Sequence, residues 1–406
     1  MVIFEMDFEF IKKLKKSSES KIVFLIIDGL GGLPKKPNGK TELESAKKPN
    51  LDDLFSRSIC GLQQPVGPGI TPGSGPGHLS LFGYDPIKYQ VGRGVLAALG
   101  VNFDLKSGDI AARGNFCTID KNGILEDRRA GRISTNENEI LCEELRKIQL
   151  PGIKIYIKPL KEHRFLLVLR GKSLYPDISD TDPQKIGIKP LMPEALDNKS
   201  KKTSEYLMDF INKSSEILQN QYPANMILLR GFSQKPNWPT FEENYNLKSL
   251  AIASYPMYKG LARLLGMKTI EECSTIDEEF YQLEKNWDNY DFFYIHIKGS
   301  DSAGEDGDFN RKIRAIEEVD KYIPRLLSLN PNVVIVTGDH STPSILKYHS
   351  WHPVPILLWS DNCRIDNLKH FGERECIKGS LGSCFPATDL MPLALAYADR
   401  LKKFGA

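Results

Sequence analysis

The chain carries its clearest structural signal near the N-terminus, in the run Lys21-Ile-Val-Phe-Leu-Ile-Ile-Asp28. Consecutive apolar residues leave no polar face, which is typical of a central parallel strand that is covered on both sides. Later runs of the same character occupy residues 292–297, 333–336 and 354–359. Between the first two of these later runs, residues 309–327 place apolar side chains at helical spacing. Strand, helix and strand in this order predict an α/β sheet domain.

The middle of the chain, from about Gly92 to about Pro256, has a different pattern. Its apolar segments are shorter, it is richer in arginine and lysine, and glycine and Asp-Thr-Asp-Pro turns interrupt it. A chain of 406 residues also exceeds what one hydrophobic core usually organises. We therefore expect a second α/β domain inserted into the first: residues 1–90 and 257–406 form the sheet domain, and residues 91–256 form the inserted domain.

Composition excludes several classes of protein. The net charge of +2 argues against a dedicated nucleic-acid binder. The apolar runs are far too short to span a bilayer, and Met1–Lys21 resembles an amphipathic helix more than a signal peptide. The seven cysteines are dispersed and include no CxxC pair, which fits reduced thiols. We expect a cytoplasmic protein without membrane or nucleic-acid partners. The sequence does not indicate its oligomeric state.

Acidic and histidine residues stand at or near the ends of the predicted strands. They are Asp28, Asp301, Asp339, His340 and His349. In open α/β sheets, ligands bind outside the carboxyl ends of the strands, and converging carboxylates and imidazoles can hold two metal ions there. Each residue alone could equally be a turn or cap residue. Two other histidines carry less signal: His296 is expected in the core and His370 at the surface.

Ser74 lies in the glycine-rich stretch Pro68-Gly-Ile-Thr-Pro-Gly-Ser-Gly-Pro-Gly-His-Leu-Ser-Leu-Phe82. This stretch lacks the Gly-Lys-Ser/Thr of a P-loop and the spacing of a dinucleotide fingerprint. Ser74 could be an ordinary helix N-cap. It could also be a nucleophile, because the backbone N–H groups at a helix start favour a phosphoryl group and a metal ion can activate the hydroxyl.

Several strings together resemble the cofactor-independent phosphoglycerate mutases of the archaeal type, which belong to the alkaline phosphatase superfamily. The strings are Asp28-Gly-Leu-Gly-Gly, residues 39–52, residues 71–85, Arg128-Arg-Ala-Gly-Arg-Ile-Ser134, Ile178-Ser-Asp-Thr-Asp-Pro183, residues 255–267, Thr337-Gly-Asp-His-Ser-Thr342 and residues 349–355. They follow the family's order from Lys21 almost to the C-terminus.

The resemblance implies a fold and an activity. It implies an alkaline-phosphatase-like sheet domain that carries two divalent metal ions, with a phosphoglycerate-holding domain inserted into it. The expected reaction is the glycolytic interconversion of 3-phosphoglycerate and 2-phosphoglycerate through a phosphoserine, so the expected partner is a small phosphoglycerate. The expected ions are Mn²⁺ or Mg²⁺, with Zn²⁺ and Co²⁺ as alternatives.

The resemblance also assigns residues to the metal ions. Ser74 matches the serine that becomes phosphorylated. The ligands implied for one ion are Asp28, Ser74, Asp339 and His340. Asp301 and His349 match two ligands of the other ion. The family pattern places histidine four residues after Asp301, where this chain has Glu305. Glutamate can bind Mg²⁺ or Mn²⁺ through oxygen, so we expect Glu305 to complete the second set.

The substrate would be held by cationic groups of the inserted domain. Guanidinium groups match both the carboxylate and the phosphate of a phosphoglycerate. We predict Arg113, Arg129, Arg132 and Arg230 as binders, with Arg230 also acting on the phosphoryl group; they are chosen from the basic residues Arg113, Arg128, Arg129, Arg132, His163, Arg164 and Arg230. Lys259 could stabilise the transferring phosphoryl group, or its side chain could simply extend to solvent. Asp182, like Asp180, could contact substrate and move a proton, or cap a turn.

Departures from the family pattern keep an alternative open. Gln184, like Glu305, stands where the family usually has histidine, and Phe232 and Ser233 replace small residues. The alternative function is a paralogous metal-dependent phosphatase or phosphotransferase that acts on another small phosphoester. A non-catalytic metal-binding protein is less consistent with an intact Ser74 and its acidic partners. Gly29-Leu-Gly-Gly alone does not indicate a dehydrogenase.

Overall fold

A computed structural model describes residues 8–405. The first seven residues of the expected N-terminal helix lie outside this range. The chain forms two compact units, one made of Met1–Gln90 and Pro239–Ala406 and the other of Val91–Trp238. The predicted insertion ended at residue 256, which is 18 residues beyond this second boundary. Residues 239–256 belong to the first unit because they contain a strand of its sheet.

The strands alternate with helices along most of the chain. They are β1 (Ile22–Ile27), β2 (Ile59–Gln64), β3 (Ile110–Ile119), β4 (Leu125–Asp127), β5 (Ile153–Pro159), β6 (Arg164–Gly171), β7 (Met226–Ser233), β8 (Ser249–Ala253), β9 (Lys268–Thr269), β10 (Phe292–Ile297), β11 (Val333–Thr337), β12 (Val354–Trp359) and β13 (Gly382–Pro386).

The helices are α1 (Phe8–Leu14), α2 (Glu42–Ser45), α3 (Pro49–Ser56), α4 (Ser74–Leu81), α5 (Arg93–Gly100), α6 (Thr135–Leu145), α7 (Lys201–Leu218), α8 (Phe241–Tyr245), α9 (Pro256–Leu264), α10 (Ile276–Lys285), α11 (Gly299–Glu305), α12 (Phe309–Asp320), α13 (Ile323–Leu327), α14 (Glu373–Cys376) and α15 (Leu390–Tyr397). Short 3-10 turns occupy Ala130–Arg132, Trp287–Asn289 and Ala387–Asp389.

The first unit is built on a sheet in the order β13-β2-β12-β11-β1-β10-β8-β9. The apolar run at β1 is the centre of it, paired in parallel with β10 on one side and β11 on the other. Every side chain of β1 is buried, as a run without a polar face requires. The predicted α/β class is confirmed, and the central parallel strands bring the ends of β1, β10 and β11 to one edge.

Two elements of this unit differ from the expected pattern. Strand β12 runs antiparallel to β11 and β2, although its apolar run resembles those of the parallel strands. Residues 338–353 contain no helix, and a parallel connection needs a crossover of that kind. The helix expected over residues 309–327 is broken into α12 and α13, with Pro324 in the first turn of α13.

The inserted unit has its own sheet, with β4, β3, β6 and β5 in that order and with β7 also paired to β3. The pairs are antiparallel. A separate apolar core lies under this sheet and includes Phe116, Phe165 and Phe210. No helix among residues 8–405 is long and apolar enough to cross a bilayer.

Candidate active site

The acidic and histidine residues identified at strand ends come together at one edge of the first unit's sheet. Asp28 follows β1 directly, and Asp339 and His340 follow β11 after one glycine. Asp301 lies in α11, which begins two residues after β10. Because β11, β1 and β10 are adjacent and parallel, their carboxyl ends converge, and the polar side chains placed there converge with them.

Asp28, Asp339 and His340 form the first group of donor atoms, and all three side chains are fully buried. His340 Nε2 lies 3.3 Å from Asp28 Oδ1 and 3.1 Å from Asp339 Oδ2. Asp28 Oδ1 and Asp339 Oδ2 have no hydrogen-bond partner among the described residues. Buried carboxylate oxygens in this state are costly unless a cation satisfies them.

Ser74 adds a hydroxyl to this group from the first position of α4. Its Oγ lies 3.3 Å from His340 Nε2, and its side chain is partly exposed. The helix can approach because residue 77 is glycine: a Cβ there would lie 2.2 Å from the carbonyl oxygen of Asp339. A reacting group can therefore reach Ser74 while the neighbouring carboxylates stay covered.

Asp301, His340 and His349 form the second group. His349 Nε2 lies 3.5 Å from Asp301 Oδ1, and the His349 ring stacks on His340 with 3.6 Å between centroids. Its Nδ1 faces the carbonyl oxygen of Pro72 at 3.0 Å, which fixes the ring. Asp301 Oδ1 also accepts a hydrogen bond from Thr342 Oγ1 at 2.7 Å. His340, which the resemblance assigned to one metal ion, thus borders both groups.

Glu305 lies at the last position of α11, at the rim of the second group. Its Oε1 is 3.8 Å from His349 Nε2, and its side chain is 55% exposed. The compact group of mutually close donor atoms contains Asp301, His340 and His349 but not Glu305. The carboxylate therefore borders the second group without being part of the closest set.

Both groups fit a divalent cation. The donor atoms within each group lie within 4.8 Å of one another, and ligands held at about 2.0–2.6 Å by one ion lie within about 5 Å of each other. The donors are carboxylate oxygens and imidazole nitrogens, a set that suits Mn²⁺, Mg²⁺ and Zn²⁺. The unsatisfied oxygens of Asp28 and Asp339 point to the same conclusion.

Two buried histidines border the first group and were not predicted as site residues. His78, in α4, places Nδ1 3.2 Å from Asp339 Oδ2. His296, in β10, places Nε2 3.1 Å from Asp28 Oδ2. His296 is buried as expected, but it contacts a charged carboxylate, so it is not simply a core residue. Strand register could have shown this, because His296 pairs with Ile26, two residues before Asp28.

Lys298 and Tyr258 were also missed. The Lys298 ammonium lies 2.9 Å from Asp28 Oδ2 and also pairs with Asp301, so it links the two groups. The Tyr258 hydroxyl donates to Asp28 Oδ2 at 2.5 Å. Lys259, predicted next to the phosphoryl group, instead donates from Nζ to the backbone carbonyl of Glu271 at 2.6 Å. Among the described contacts, Lys298 is the lysine that reaches the donor groups.

The electrostatics keep the carboxylates charged. Burial raises the pKa of Asp339, but the charges of His340 and His78 outweigh it and hold the pKa well below the usual value. Burial lowers the pKa of His340, yet Asp339 and Asp28 raise it to about 9. Burial and the nearby carboxylates raise the pKa of Tyr258, which therefore remains a donor. The region concentrates negative charge with too few counter-charges, as a cation site does.

The inserted unit gathers part of the predicted substrate-binding set around Asp182. Arg128 forms a two-bond pair with Asp182, with both N–O distances 2.8 Å. Arg230 Nη1 lies 3.4 Å from Asp182 Oδ2, and its Nε lies 3.5 Å from Asp180 Oδ2. Burial raises the pKa of Asp182, but Arg128, the backbone N–H of Gln184 and the charge of Arg230 together outweigh it, and the net shift is downward. Asp182 Oδ1 also accepts from the backbone N–H of Gln184, so it caps a turn as well.

The remaining predicted binders lie nearby in the same unit. Arg113 stands directly opposite Arg230 in the β3–β7 ladder. Arg129 and Arg132 are exposed and flank a turn in which Ala130, Gly131 and Arg132 all have φ between 46° and 63°. Non-glycine residues seldom adopt this conformation, and such strain concentrates at functional sites.

His163 lies close to these arginines and is buried. Burial lowers its pKa to about 4, and the positive charge of Arg164 contributes in the same direction. His163 is therefore neutral at pH 7, and the positive charge of this region comes from its arginines.

The chain is similar to phosphoglycerate mutases along nearly its whole length. A sequence profile described as 2,3-bisphosphoglycerate-independent phosphoglycerate mutase matches residues 56–225. A protein of Aquifex aeolicus, named probable 2,3-bisphosphoglycerate-independent phosphoglycerate mutase, is 53% identical over 406 residues, covering 98% of this chain and 99% of its own length. A protein of Thermus thermophilus with the same name is 48% identical over 404 residues, with the same coverage.

Solved structures agree with this similarity. A protein from Pyrococcus horikoshii is 32% identical and matches with a TM-score of 0.82, covering 97% of this chain and 100% of that protein. A cofactor-independent phosphoglycerate mutase from Thermoplasma acidophilum is 29% identical with a TM-score of 0.71, covering 93% and 100%. The resemblance found in the sequence motifs is confirmed.

Proposed function

The chain belongs to the 2,3-bisphosphoglycerate-independent phosphoglycerate mutase family, and we propose that it interconverts 3-phosphoglycerate and 2-phosphoglycerate through a phosphoserine at Ser74. The observation that carries this proposal is the placement of Ser74. Its partly exposed hydroxyl lies against a buried group of carboxylates and imidazoles in which two carboxylate oxygens have no hydrogen-bond partner among the described residues. A serine hydroxyl attacks phosphorus at neutral pH when a base or a bound metal ion activates it, and this group could hold such an ion beside Ser74.

Two divalent ions, Mn²⁺ or Mg²⁺ in preference to Zn²⁺ or Co²⁺, would be held by the two donor groups. Asp28, Asp339 and His340 with Ser74 would hold one ion. Asp301 and His349 would hold the other, with Glu305 moving inward to complete the set. Bound there, the ions supply Lewis-acid stabilisation of the serine oxygen and of the phosphoryl oxygens.

The chain's own residues carry the rest of the reaction. In the first half, Ser74 Oγ loses its proton and forms a bond to phosphorus, the bond from phosphorus to the substrate's 3-oxygen breaks, and that oxygen takes a proton. In the second half, the 2-hydroxyl of glycerate loses its proton and forms a bond to the phosphorus of the phosphoserine, the bond from phosphorus to Oγ breaks, and Oγ takes a proton, which regenerates Ser74. The N-terminus of α4 stabilises the phosphoryl group through its free N–H groups. Lys298 adds a positive charge beside both donor groups.

The arginines of the inserted unit would bind the substrate's carboxylate and orient glycerate between the two half-reactions. Arg113, Arg129, Arg132 and Arg230 remain the proposed binders. Arg128 joins them because it shares Asp182 with Arg230. Asp182 would fix these guanidinium groups and could exchange a proton with a substrate hydroxyl. Bidentate guanidinium contacts give the geometric selectivity that a small carboxylate requires.

An enolase-coupled assay with 3-phosphoglycerate tests the proposal, performed with metal-free protein and with Mn²⁺ added back. Formation of 2-phosphoglycerate only in the presence of the metal is the expected result. The second candidate function is a phosphatase, which the replacement of a family histidine by Glu305 favours. Release of inorganic phosphate without isomerisation would identify it. We place the protein in the cytoplasm, where its seven free cysteines would remain reduced.

A further inference from the structure

Lys312 is a fully buried lysine beneath the donor groups, on the side of α12 that faces the sheet edge. Lysine is almost never fully buried unless its charge is matched. Here the ammonium donates three hydrogen bonds of 2.8 Å each, to the backbone carbonyl oxygens of Gly29, Gly31 and Thr342. An ammonium group has three donors, so its hydrogen-bonding capacity is used completely.

The three carbonyl groups belong to the two loops that carry the metal-binding donors. Gly29 and Gly31 follow Asp28 at the end of β1, and Thr342 follows His340 after β11. The two loops also contact each other directly, because the Thr342 N–H lies 3.3 and 3.1 Å from the carbonyl oxygens of Gly29 and Gly31. The ammonium group adds three hydrogen bonds to this contact and so reinforces the spacing of the loops at the level of the backbone.

This backbone spacing is transmitted to the donors by short contacts. Thr342 Oγ1 donates to Asp301 Oδ1 at 2.7 Å and lies 2.9 Å from His340 Nδ1. Gly29 packs so closely that a Cβ would lie 2.6 Å from Thr342 Oγ1, and its N–H donates to Asp339 Oδ1 at 3.2 Å. A shift of either loop would therefore move donors of both groups.

A buried carboxylate supports the same loops from the other side. Glu42 is fully buried and accepts hydrogen bonds from the N–H and the hydroxyl of Ser344, at 2.8 and 2.7 Å. It also accepts from the N–H of Leu33 at 3.2 Å. The positive Lys312 binds the carbonyls of the loops and the negative Glu42 binds their N–H groups. Each loop is thus held by two opposite charges.

We propose that Lys312 is a positioning residue that sets the spacing of the two donor groups and thereby the affinity of the site for divalent ions. The proposal rests on the proposed function only in assuming that these groups bind metal. Lys312 contacts no donor atom and takes no part in phosphoryl transfer. Its effect reaches the donors through Gly29 and Thr342.

Removing the ammonium group should loosen the loops without removing any ligand. In Lys312→Met the side chain keeps nearly the same length, but the three backbone carbonyl groups lose their hydrogen-bond donor. We expect Mn²⁺ affinity to fall by about tenfold to a hundredfold, the usual effect of changing a group that orients metal ligands. Saturating Mn²⁺ should restore part of the turnover, because all ligands are still present.

The experiment measures Mn²⁺ binding to metal-free protein by electron paramagnetic resonance, without substrate, so that it does not depend on mutase activity. The matched control is Lys48→Met. Lys48 is another buried lysine of the same unit, but it pairs with Asp52, away from the donor loops. Thermal unfolding of both variants shows how much stability each substitution costs. Lys312→Gln, which keeps two donors, provides a second variant with a smaller expected loss of affinity.

Weaker Mn²⁺ binding in Lys312→Met and, to a lesser extent, in Lys312→Gln, with unchanged binding in Lys48→Met, supports the proposal. Wild-type Mn²⁺ affinity in a folded Lys312→Met would overturn it. An equal loss of affinity in Lys48→Met at equal loss of stability would also overturn it, as would failure of both Lys312 variants to fold. A wild-type protein that binds Mn²⁺ but lacks mutase activity would refute the proposed function and leave this test intact.

Discussion

In the first unit, the carboxylates that face one another are buried and keep oxygens without hydrogen-bond partners, whereas in the inserted unit the arginines are partly exposed and paired with a carboxylate. Asp28 and Asp339 are fully buried, and each has one oxygen without a hydrogen bond among the described residues. Arg128 and Arg230 are 27% and 15% exposed and share the carboxylate of Asp182. Both arrangements concentrate charge, but they are suited to different ligands.

The difference follows from what each ligand supplies. A divalent ion brings the missing counter-charge itself, so a site for it can be preorganised with unsatisfied oxygens. An anionic substrate arrives and leaves in every cycle. Between cycles, a neighbouring carboxylate balances the charge of the arginines that bind the substrate and keeps their side chains ordered. The comparison predicts that changes in the first unit affect chemistry and metal binding, and changes in the inserted unit affect substrate affinity.

The largest expected effect is that of Ser74→Ala. Loss of the hydroxyl removes the atom that receives the phosphoryl group, and we expect turnover to fall by more than about a thousandfold. The fold should survive, because Ser74 is partly exposed at a helix start. The enolase-coupled assay measures turnover, and Ser80→Ala in the same helix is the control for an altered α4. Wild-type turnover in Ser74→Ala would show that Ser74 is not the residue that receives the phosphoryl group.

Metal removal should abolish isomerisation and also lower stability. A ligand at a hundred times its dissociation constant stabilises the folded state by about 2.7 kcal/mol. We therefore expect the Tm to rise when Mn²⁺ is added to metal-free protein. Asp339→Asn should lose most of this rise, whereas Asp182→Asn should keep it. Full activity of rigorously metal-free protein would contradict the assignment of both donor groups.

Substitution in the inserted unit should have an intermediate effect of another kind. Arg132→Gln removes one charged donor from the strained turn, and we expect KM for 3-phosphoglycerate to rise by about tenfold, since hydrogen bonds to charged groups contribute about 1.5–3 kcal/mol. The Mn²⁺ affinity should be unchanged. Lys147→Gln, an exposed cation of the same unit paired with Glu144, is the matched control. Steady-state kinetics at saturating Mn²⁺ measure both constants. A constant KM with a lower kcat would refute the claim that the inserted unit determines substrate affinity.

The smallest expected effect concerns Glu305. If its carboxylate completes the second metal set, Glu305→His should shift metal preference towards Zn²⁺ by severalfold, because imidazole suits softer ions than carboxylate does. Competition between Zn²⁺ and Mn²⁺ in metal-free protein measures the shift. Asp306→Asn, which changes the neighbouring carboxylate, should leave the preference as it is. An unchanged preference in Glu305→His would show that the exposed position seen in the structure is the functional one.

The sequence was sufficient for features that depend on local pattern. The apolar run before Asp28 predicted a central strand, and residues that follow such strands were expected to converge because parallel strands end at one edge. The antiparallel direction of β12 was not predictable from its composition, since a buried strand of either direction is apolar. It became clear only from the connection before it, which contains no helix.

Contacts between distant segments were beyond the sequence. His296 lies in an apolar run, and only the register between β10 and the neighbouring β1 shows that its ring contacts Asp28. Lys259 and Lys298 are both lysines near predicted loops, and their side-chain directions decide which one reaches the donor groups. Nothing in the sequence distinguishes Lys312 either, because a lysine in an amphipathic helix is ordinarily exposed to solvent.

Trapping the covalent intermediate tests the central claim most directly. Protein loaded with Mn²⁺ is mixed with isotope-labelled 3-phosphoglycerate, quenched with acid during turnover, digested and analysed by mass spectrometry. The account predicts that the label appears as a phosphate on the peptide that contains Ser74, and that it is absent in Ser74→Ala. Continuing isomerisation with an unmodified Ser74, or with the phosphate on another residue, would contradict it.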